Sequence, residues 1–306
     1  MGGRLPGAVM LSASESGRLD DTPAPAARAA DDIAGFVRVR RRYWGRYVAS
    51  IAIIAALAYV AVAFARGQIE WRVVGRFLTA HSILTGLGNT IVMTVLAMTL
   101  GIVLGVVTAV MRLSSNPVLG AIAQGYIWLF RGTPVILQLL LWFNLALVFP
   151  TLGIPGIAEY RTVDVMTPFL AAVLGLGINQ GAYTSEVVRA GLLSVDTGQY
   201  EAAKSIGMAR LQALRRIILP QAMRVIVPPI GNELIGMVKL TSLASVVQYA
   251  EMLHNAQNIY YANARVIELL IVAGIWYLAV VTVLSLAQAR VERRFARGVG
   301  RAAGRK

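Results

Sequence analysis

The chain has 306 residues, 57% hydrophobic and 14% charged, with a formal charge of +14 and no cysteine. That balance excludes an ordinary soluble domain, and the missing thiols exclude disulfides and cysteine chemistry. In so apolar a chain, surplus arginine points to membrane loops and lipid headgroups rather than nucleic acid, and the two distant histidines, His81 and His254, give no basis for a histidine metal site.

In chain order, residues 1–45 include "SESGRLDDTPAPAARAADD", rich in Ala, Pro and Asp and without apolar period. They read as a disordered basic tail. Residues 46–66 follow as a membrane helix around the uncharged window Tyr47–Ala65. This apolar run starts too late for a cleaved signal peptide and is long enough to span. Residues 67–85 form an outer connector. Further apolar windows are Gly86–Met111, Pro117–Ala158 (interrupted by Arg131), Val165–Ser185 and Leu269–Ala289. Ile217–Val247 is apolar but carries Arg224, Glu233 and Lys239. Six membrane segments are expected in an all-α integral membrane protein. A soluble fold would need several core helices with no polar face.

Positive charge sets the expected orientation. "RVRRRYWGR" precedes the first window, and Arg290, Arg293, Arg294, Arg297, Arg301, Arg305 and Lys306 follow the last. The stretch from Arg189 to Arg224 lies on the same side, whereas the opposite loops hold few cations. Both termini, including the basic tail 295–306, are therefore expected to be cytoplasmic.

"EAAKSIGMARLQALRRIILP", Glu201 to Pro220, lies between apolar windows. Asp196 is placed to cap a short helix with Gln199 in a capping-box position, and Gly207 supplies a left-handed terminus. A second helix leads through Pro220 back to the membrane. Ala202 and Ala203 leave a low surface on which another protein fits closely. A capped amphipathic connector with no partner is the plainer reading of the same residues.

Glu201-Ala202-Ala203, Gly207, Ile217, Leu219 and Pro220 match the fixed positions of the EAA loop in permease subunits of ABC importers. The segments "GLGNTIVMTV", "IWLFRGTPVILQLLL", "GAYTSEVVRAGLLSVDTGQYEAA" and "LPQAMRVIVPPIGNELI" resemble the polar amino-acid branch of that family. The resemblance runs from about Gly86 to Arg294. It implies a type I, binding-protein-dependent permease domain over 86–294, with five core helices, an EAA loop at 195–220 and one additional N-terminal helix. It also implies the bacterial inner membrane, two ATP-binding subunits, a second permease chain and an extracytoplasmic solute-binding protein. The loop would be the coupling helix, with Glu201, Ala202, Ala203 and Gly207 at its centre. ATP and magnesium would belong to the partner ATPase, in keeping with the absence of any G-x-x-x-x-G-K-[ST] phosphate loop here. No cofactor is expected on this chain. Two departures stand out: Lys239-Leu240-Thr241-Ser242-Leu243 replaces the usual Lys-Asp-Thr-Ser-Leu, and the first 85 residues lie outside the five-span core.

Polar residues within the apolar windows are candidates for a translocation path. "GINQGAYTSE" places Asn179, Gln180, Tyr183 and Glu186 on one helix; hydrogen bonding between helices is the alternative for Asn179 and Gln180. Glu186 and Arg189 suit a plain surface pair. Arg131, before Thr133 and a break at Gly132 and Pro134, either lines the path or snorkels to the interface. In "PPIGNELIGMVKLTSLAS", Pro228, Pro229, Gly231 and Gly236 are expected to weaken the helix around Asn232, Glu233 and Lys239, as in a binding site built on a broken helix. Glu233 needs a cationic partner: Lys239 is the internal candidate and a basic or dipolar solute the external one, with Asn232 and Thr241 adding neutral bonds. The function these readings favour is import of a polar amino acid, with Glu233 pointing to a basic or dipolar one. A self-sufficient channel or ion-driven transporter is the alternative from another class.

Overall fold

A computed structural model describes residues 44–67, 69–154 and 158–295. The expected tails 1–45 and 295–306 fall almost wholly outside the described residues. The chain divides into two compact units after Arg66. In the first, α1 (Trp44–Arg66) is a 23-residue helix, apolar on every side. That lack of a polar stripe is what a lipid surround demands of a single helix.

The second unit begins with α2 (Trp71–Leu78), a short amphipathic helix in what the sequence suggests is a plain connector. Its Val74 packs with Ile83, Leu269 and Val272, and the Trp276 indole donates to the Leu78 carbonyl at 3.0 Å. Next come α3 (His81–Arg112), α4 (Pro117–Gly132) and α5 (Val135–Phe143). The expected span Pro117–Ala158 is thus not one helix. It bends by 102° between α4 and α5, because Thr133 precedes Pro134 and is held extended at φ −117° and ψ 145°. Beyond α5 the chain forms an antiparallel hairpin, β1 (Thr151–Ile154) with β2 (Ala158–Arg161), then a single turn, α6 (Thr162–Val165).

The central helix is α7 (Pro168–Leu193). Thr167 caps it and Pro168 opens it, a favourable pairing at a helix start. Half of its length is buried. Among the described residues, α1, α3, the stretch Arg210–Val247 and α12 (Val266–Phe295) are long and apolar enough to cross a membrane, and the bent α4–α5 pair makes a fifth. The sixth expected segment, α7, is about 39 Å long at 1.5 Å per residue. Asn179, Gln180 and their polar neighbours lower its apolarity. Its surroundings are largely protein rather than lipid, so those residues find partners there.

After α7 come α8 (Thr197–Ser205) and α9 (Arg210–Ala213), then a π turn over Leu214–Ile218 and α10 (Leu219–Leu240). The expectation of a helix broken around Asn232 to Lys239 is not met: α10 runs unbroken through Pro228 and Pro229. Prolines persist in such helices where neighbours satisfy the freed backbone. The two prolines free the carbonyls of Arg224 and Val225, one turn back; separately, Gln288 of α12 donates to the Pro228 carbonyl at 2.9 Å and ties this stretch to α12. The irregular backbone comes later, as a 3-10 stretch over Thr241–Val247, before α11 (Met252–Asn263). The middle core joins Met93 and Ala97 of α3, Leu139 of α5, Leu176 of α7 and Met237 of α10. At one end, Ala109, Val188, Ile218 and Ala222 close the bundle beside the α7–α8 turn.

Candidate functional site

Two neighbouring residues of α7 serve two different elements, since successive helix positions point about 100° apart. Asn179 faces the α4–α5 bend. Its amide donates to the Phe130 carbonyl at 2.7 Å and to Gln138 Oε1 at 3.2 Å. Gln138 in turn donates to the Phe130 carbonyl, the Thr133 carbonyl and the Thr133 hydroxyl. The backbone groups freed by the bend are thereby satisfied in a buried setting, where an unpaired one costs about 1–3 kcal/mol. For Asn179, the hydrogen-bonding alternative is the one the geometry realises. On the outer side of the bend Arg131, itself exposed, lies 5.0 Å from the centre of the Tyr183 ring.

Gln180 faces α10. Its side-chain nitrogen donates to Glu233 Oε2 at 2.7 Å and to the Thr184 hydroxyl at 3.1 Å, and Thr184 donates to the same carboxylate oxygen at 3.0 Å. Two glycines of α3 make this possible. A Cβ on Gly101 would stand 2.6 Å from Gln180 Cγ, and one on Gly105 2.6 Å from Thr184 Cγ2. Such small residues let helices approach closely in a membrane. Glu233 is half-buried, while Asn232 and Lys239 are exposed.

Of the two candidate partners for Glu233, the internal one is not realised: no Glu233–Lys239 pair forms, and among the described residues Glu233 has no ion pair. Six positions on a helix place Lys239 about 240° round from Glu233. Thr241 is buried and donates to the Val238 carbonyl at 2.7 Å, a bond within its own turn. Asn232, Lys239 and Thr241 are therefore not gathered around the carboxylate, whereas Gln180 is. Glu186 and Arg189 pair at 2.7 Å, as their spacing suggested.

Thr184 and Gln138 were passed over in the sequence, although Thr184 follows Gln180 by one helical turn. Glu251 was missed altogether. It is fully buried and caps α11, accepting from the backbone N–H of His254 at 2.7 Å and of Leu253 at 2.8 Å, and from the Tyr277 hydroxyl at 2.8 Å. Burial raises its pKa, and the bonds from Leu253, Tyr277 and His254 oppose that rise. The signal was present as an acidic residue just before a helix, a capping position. Among the described residues no group of three or more potential ligands could hold a metal ion.

The loop at Glu201 is built much as its caps suggest. Asp196 accepts from Gly198 N at 2.7 Å, and Gly207 has φ +74°. Gln199 does not close a capping box. It accepts a 3.3 Å bond from Gln221, which ties α8 to α10. Ala203 is buried on the bundle side, and Glu201, Ala202 and Lys204 are exposed.

The chain is 40% identical over 260 residues to the arginine transport system permease protein ArgU of Corynebacterium glutamicum, covering 84% of this chain and 82% of that protein. It is 39% identical over 217 residues to the L-cystine transport system permease protein TcyB of Bacillus subtilis, covering 71% and 87% respectively. A crystal structure described as an amino acid ABC transporter with histidines superposes with a TM-score of 0.61 at 36% identity, over 70% of this chain and 94% of that one. Residues 101–297 match the family described as the binding-protein-dependent transport system inner membrane component, and with most of the helical bundle and the Glu201–Gly207 loop inside that match, the chain belongs to this family.

Proposed function

We propose that the chain is the permease subunit of an ATP-driven importer for a polar amino acid. The observation that carries this reading is the exposed, capped helix α8, ended by a left-handed glycine, within a family that moves solutes delivered by binding proteins. Relatives named for arginine and L-cystine support an amino-acid substrate. No observation favours a self-sufficient channel or ion-driven transporter.

In this reading, Glu201, Ala202 and Gly207 form the surface that docks with a cytoplasmic ATPase, which holds the ATP and magnesium, and the buried Ala203 seats the helix on the bundle behind them. Both termini lie in the cytoplasm, the permease domain covers 86–294, and residues 46–66 add a span to the five-helix core. A second permease chain completes the pathway, and an extracytoplasmic binding protein supplies the solute.

Within the membrane, Glu233 is the residue through which the substrate's cationic group is recognised. Gln180 and Thr184 occupy one carboxylate oxygen and leave the other without a hydrogen bond among the described residues. A half-buried carboxylate with only neutral donors favours a cation as its next partner. Asn232, Lys239, Thr241, Asn179, Arg131 and Thr133 complete the path as lining or supporting groups. The test is reconstitution of the complex, with its ATPase and receptor, in vesicles. Uptake of a basic amino acid that depends on ATP and on the receptor supports the assignment. Uptake without either component overturns it.

A further inference from the structure

The hairpin between α5 and α7 has two unlike faces. Its register pairs Thr151 with Arg161, Leu152 with Tyr160, Gly153 with Glu159 and Ile154 with Ala158. Directly opposed residues share a face, and faces alternate along each strand. Leu152, Ile154 and Tyr160 therefore lie on one side, and Thr151, Glu159 and Arg161 on the other. The apolar side is largely open: Ile154 is 62% exposed and Tyr160 63%, with Leu152 half-buried. Residues leading into the ribbon continue the same character, with Leu147 at 84% and Val148 at 70% exposure.

The ribbon is held at its base. Thr162 donates its N–H to the Pro150 carbonyl at 3.0 Å and its hydroxyl to the Phe149 carbonyl. An isolated two-stranded hairpin is marginally stable in water and needs a surface to cover its apolar face. The surface at hand is the bilayer. The ribbon follows the apolar helix α5, whose exposed Leu140 and Leu141 lead into Leu147, Val148 and Phe149 without an intervening charge. The charges on the ribbon and its following turn are of both signs, and Arg161 lies 3.8 Å from Asp164. Lipid of one headgroup charge is therefore not required.

We infer that residues 147–154 and 158–163 form an interfacial ribbon that lies on the outer leaflet with Leu152, Ile154 and Tyr160 directed into the lipid. Its depth is that of other amphipathic interfacial elements, about 5–10 Å into the boundary between headgroups and acyl chains. Tyr160 suits that level because its ring is apolar and its hydroxyl polar.

The chain has no cysteine, so a single introduced one gives a unique label. Ile154→Cys, Tyr160→Cys and Glu159→Cys, each spin-labelled in the full chain, are reconstituted in phosphatidylethanolamine–phosphatidylglycerol vesicles. Collision with dissolved oxygen is compared with collision with a water-soluble nickel chelate. Labels at 154 and 160 are expected to favour oxygen several-fold over the chelate, and the label at 159 the reverse. As a check with a native-like aromatic, Tyr160→Trp is expected to add fluorescence that brominated lipid quenches. Equal chelate access on both faces would show that the ribbon stands in water. Shielding of 154 and 160 from both reagents would show that a protein, such as a second copy of the chain, covers it. Absence of added quenching would also overturn the inference.

Discussion

Gln180 and Glu233 lie 53 residues apart in the chain, and the Gln180 amide donates to the Glu233 carboxylate at 2.7 Å. That contact links the central helix α7 to α10, and Thr184 reinforces it from one turn further on. The glycines of α3 press both donors into place. The candidate site is thus a three-helix construction, and each helix offers a separate test.

Gly105→Ala acts from behind the site. The added Cβ would meet Thr184 Cγ2 at 2.6 Å and the backbone nitrogen of Ser185 at 3.0 Å. The backbone contact cannot be relieved by a rotamer change, so α3 and α7 must separate. A destabilisation of about 1–3 kcal/mol is expected, with a fall in uptake. Thermal unfolding of the purified protein measures the first and vesicle uptake the second.

Glu233→Gln keeps the size of the side chain and removes its charge. A hydrogen bond to a charged group is worth about 1.5–3 kcal/mol, so uptake of a basic amino acid is expected to fall about tenfold or more. Basal ATP hydrolysis by the assembled complex should remain. Unchanged uptake would remove Glu233 from the substrate path.

Gly207→Val tests the coupling loop through the backbone alone, because nothing lies within 4 Å of the position where its Cβ would sit. At φ +74° a β-branched residue costs on the order of 1–2 kcal/mol. The chain is expected to insert normally while ATPase co-purification and transport decline. Gly207→Asn, which tolerates the left-handed region better, should retain more of both. Normal coupling in the valine variant would take docking away from this loop.

Glu251 gives a dependence on pH. Burial raises its folded pKa above the ordinary value of 4.5, so the folded state binds this proton more tightly than the unfolded chain. The associated stability is fully present below 4.5 and declines as pH rises through the raised value. Melting temperatures of the wild type and of Glu251→Gln, followed from pH 4.5 upward, are expected to differ in slope above that value. Parallel curves would show that the site does not titrate there.

Asn179→Leu removes the amide that supports the α4–α5 bend. It leaves Gln138 Oε1 without that donor, at a cost of about 1–3 kcal/mol. A double-mutant cycle with Gln138→Leu should show clear non-additivity, since the two share one network. Strict additivity of unfolding free energies would mean that the network does not act as a unit.

The membrane class, the positions of most long helices and the caps at Asp196 and Gly207 are legible in the sequence, because they depend on composition and on bonds between near neighbours. So is the bend at Pro134, which follows from the restriction that a proline places on Thr133. What tertiary structure alone decided was partnership. Glu233 has a cation six residues away on its own helix, yet takes neutral donors from α7, 49 and 53 residues distant. The helical turn points Lys239 elsewhere, and two glycines on a third helix bring Gln180 and Thr184 within reach. Pro228 and Pro229 looked like breaks, but α10 stays continuous through both, and Gln288 of another helix is bonded to the Pro228 carbonyl beside them. Glu251 drew no notice in the sequence, and packing against Tyr277 and the start of α11 makes it a buried cap. Local sequence sets the conformations available to each segment; close approach between segments decides which polar groups are left to satisfy one another.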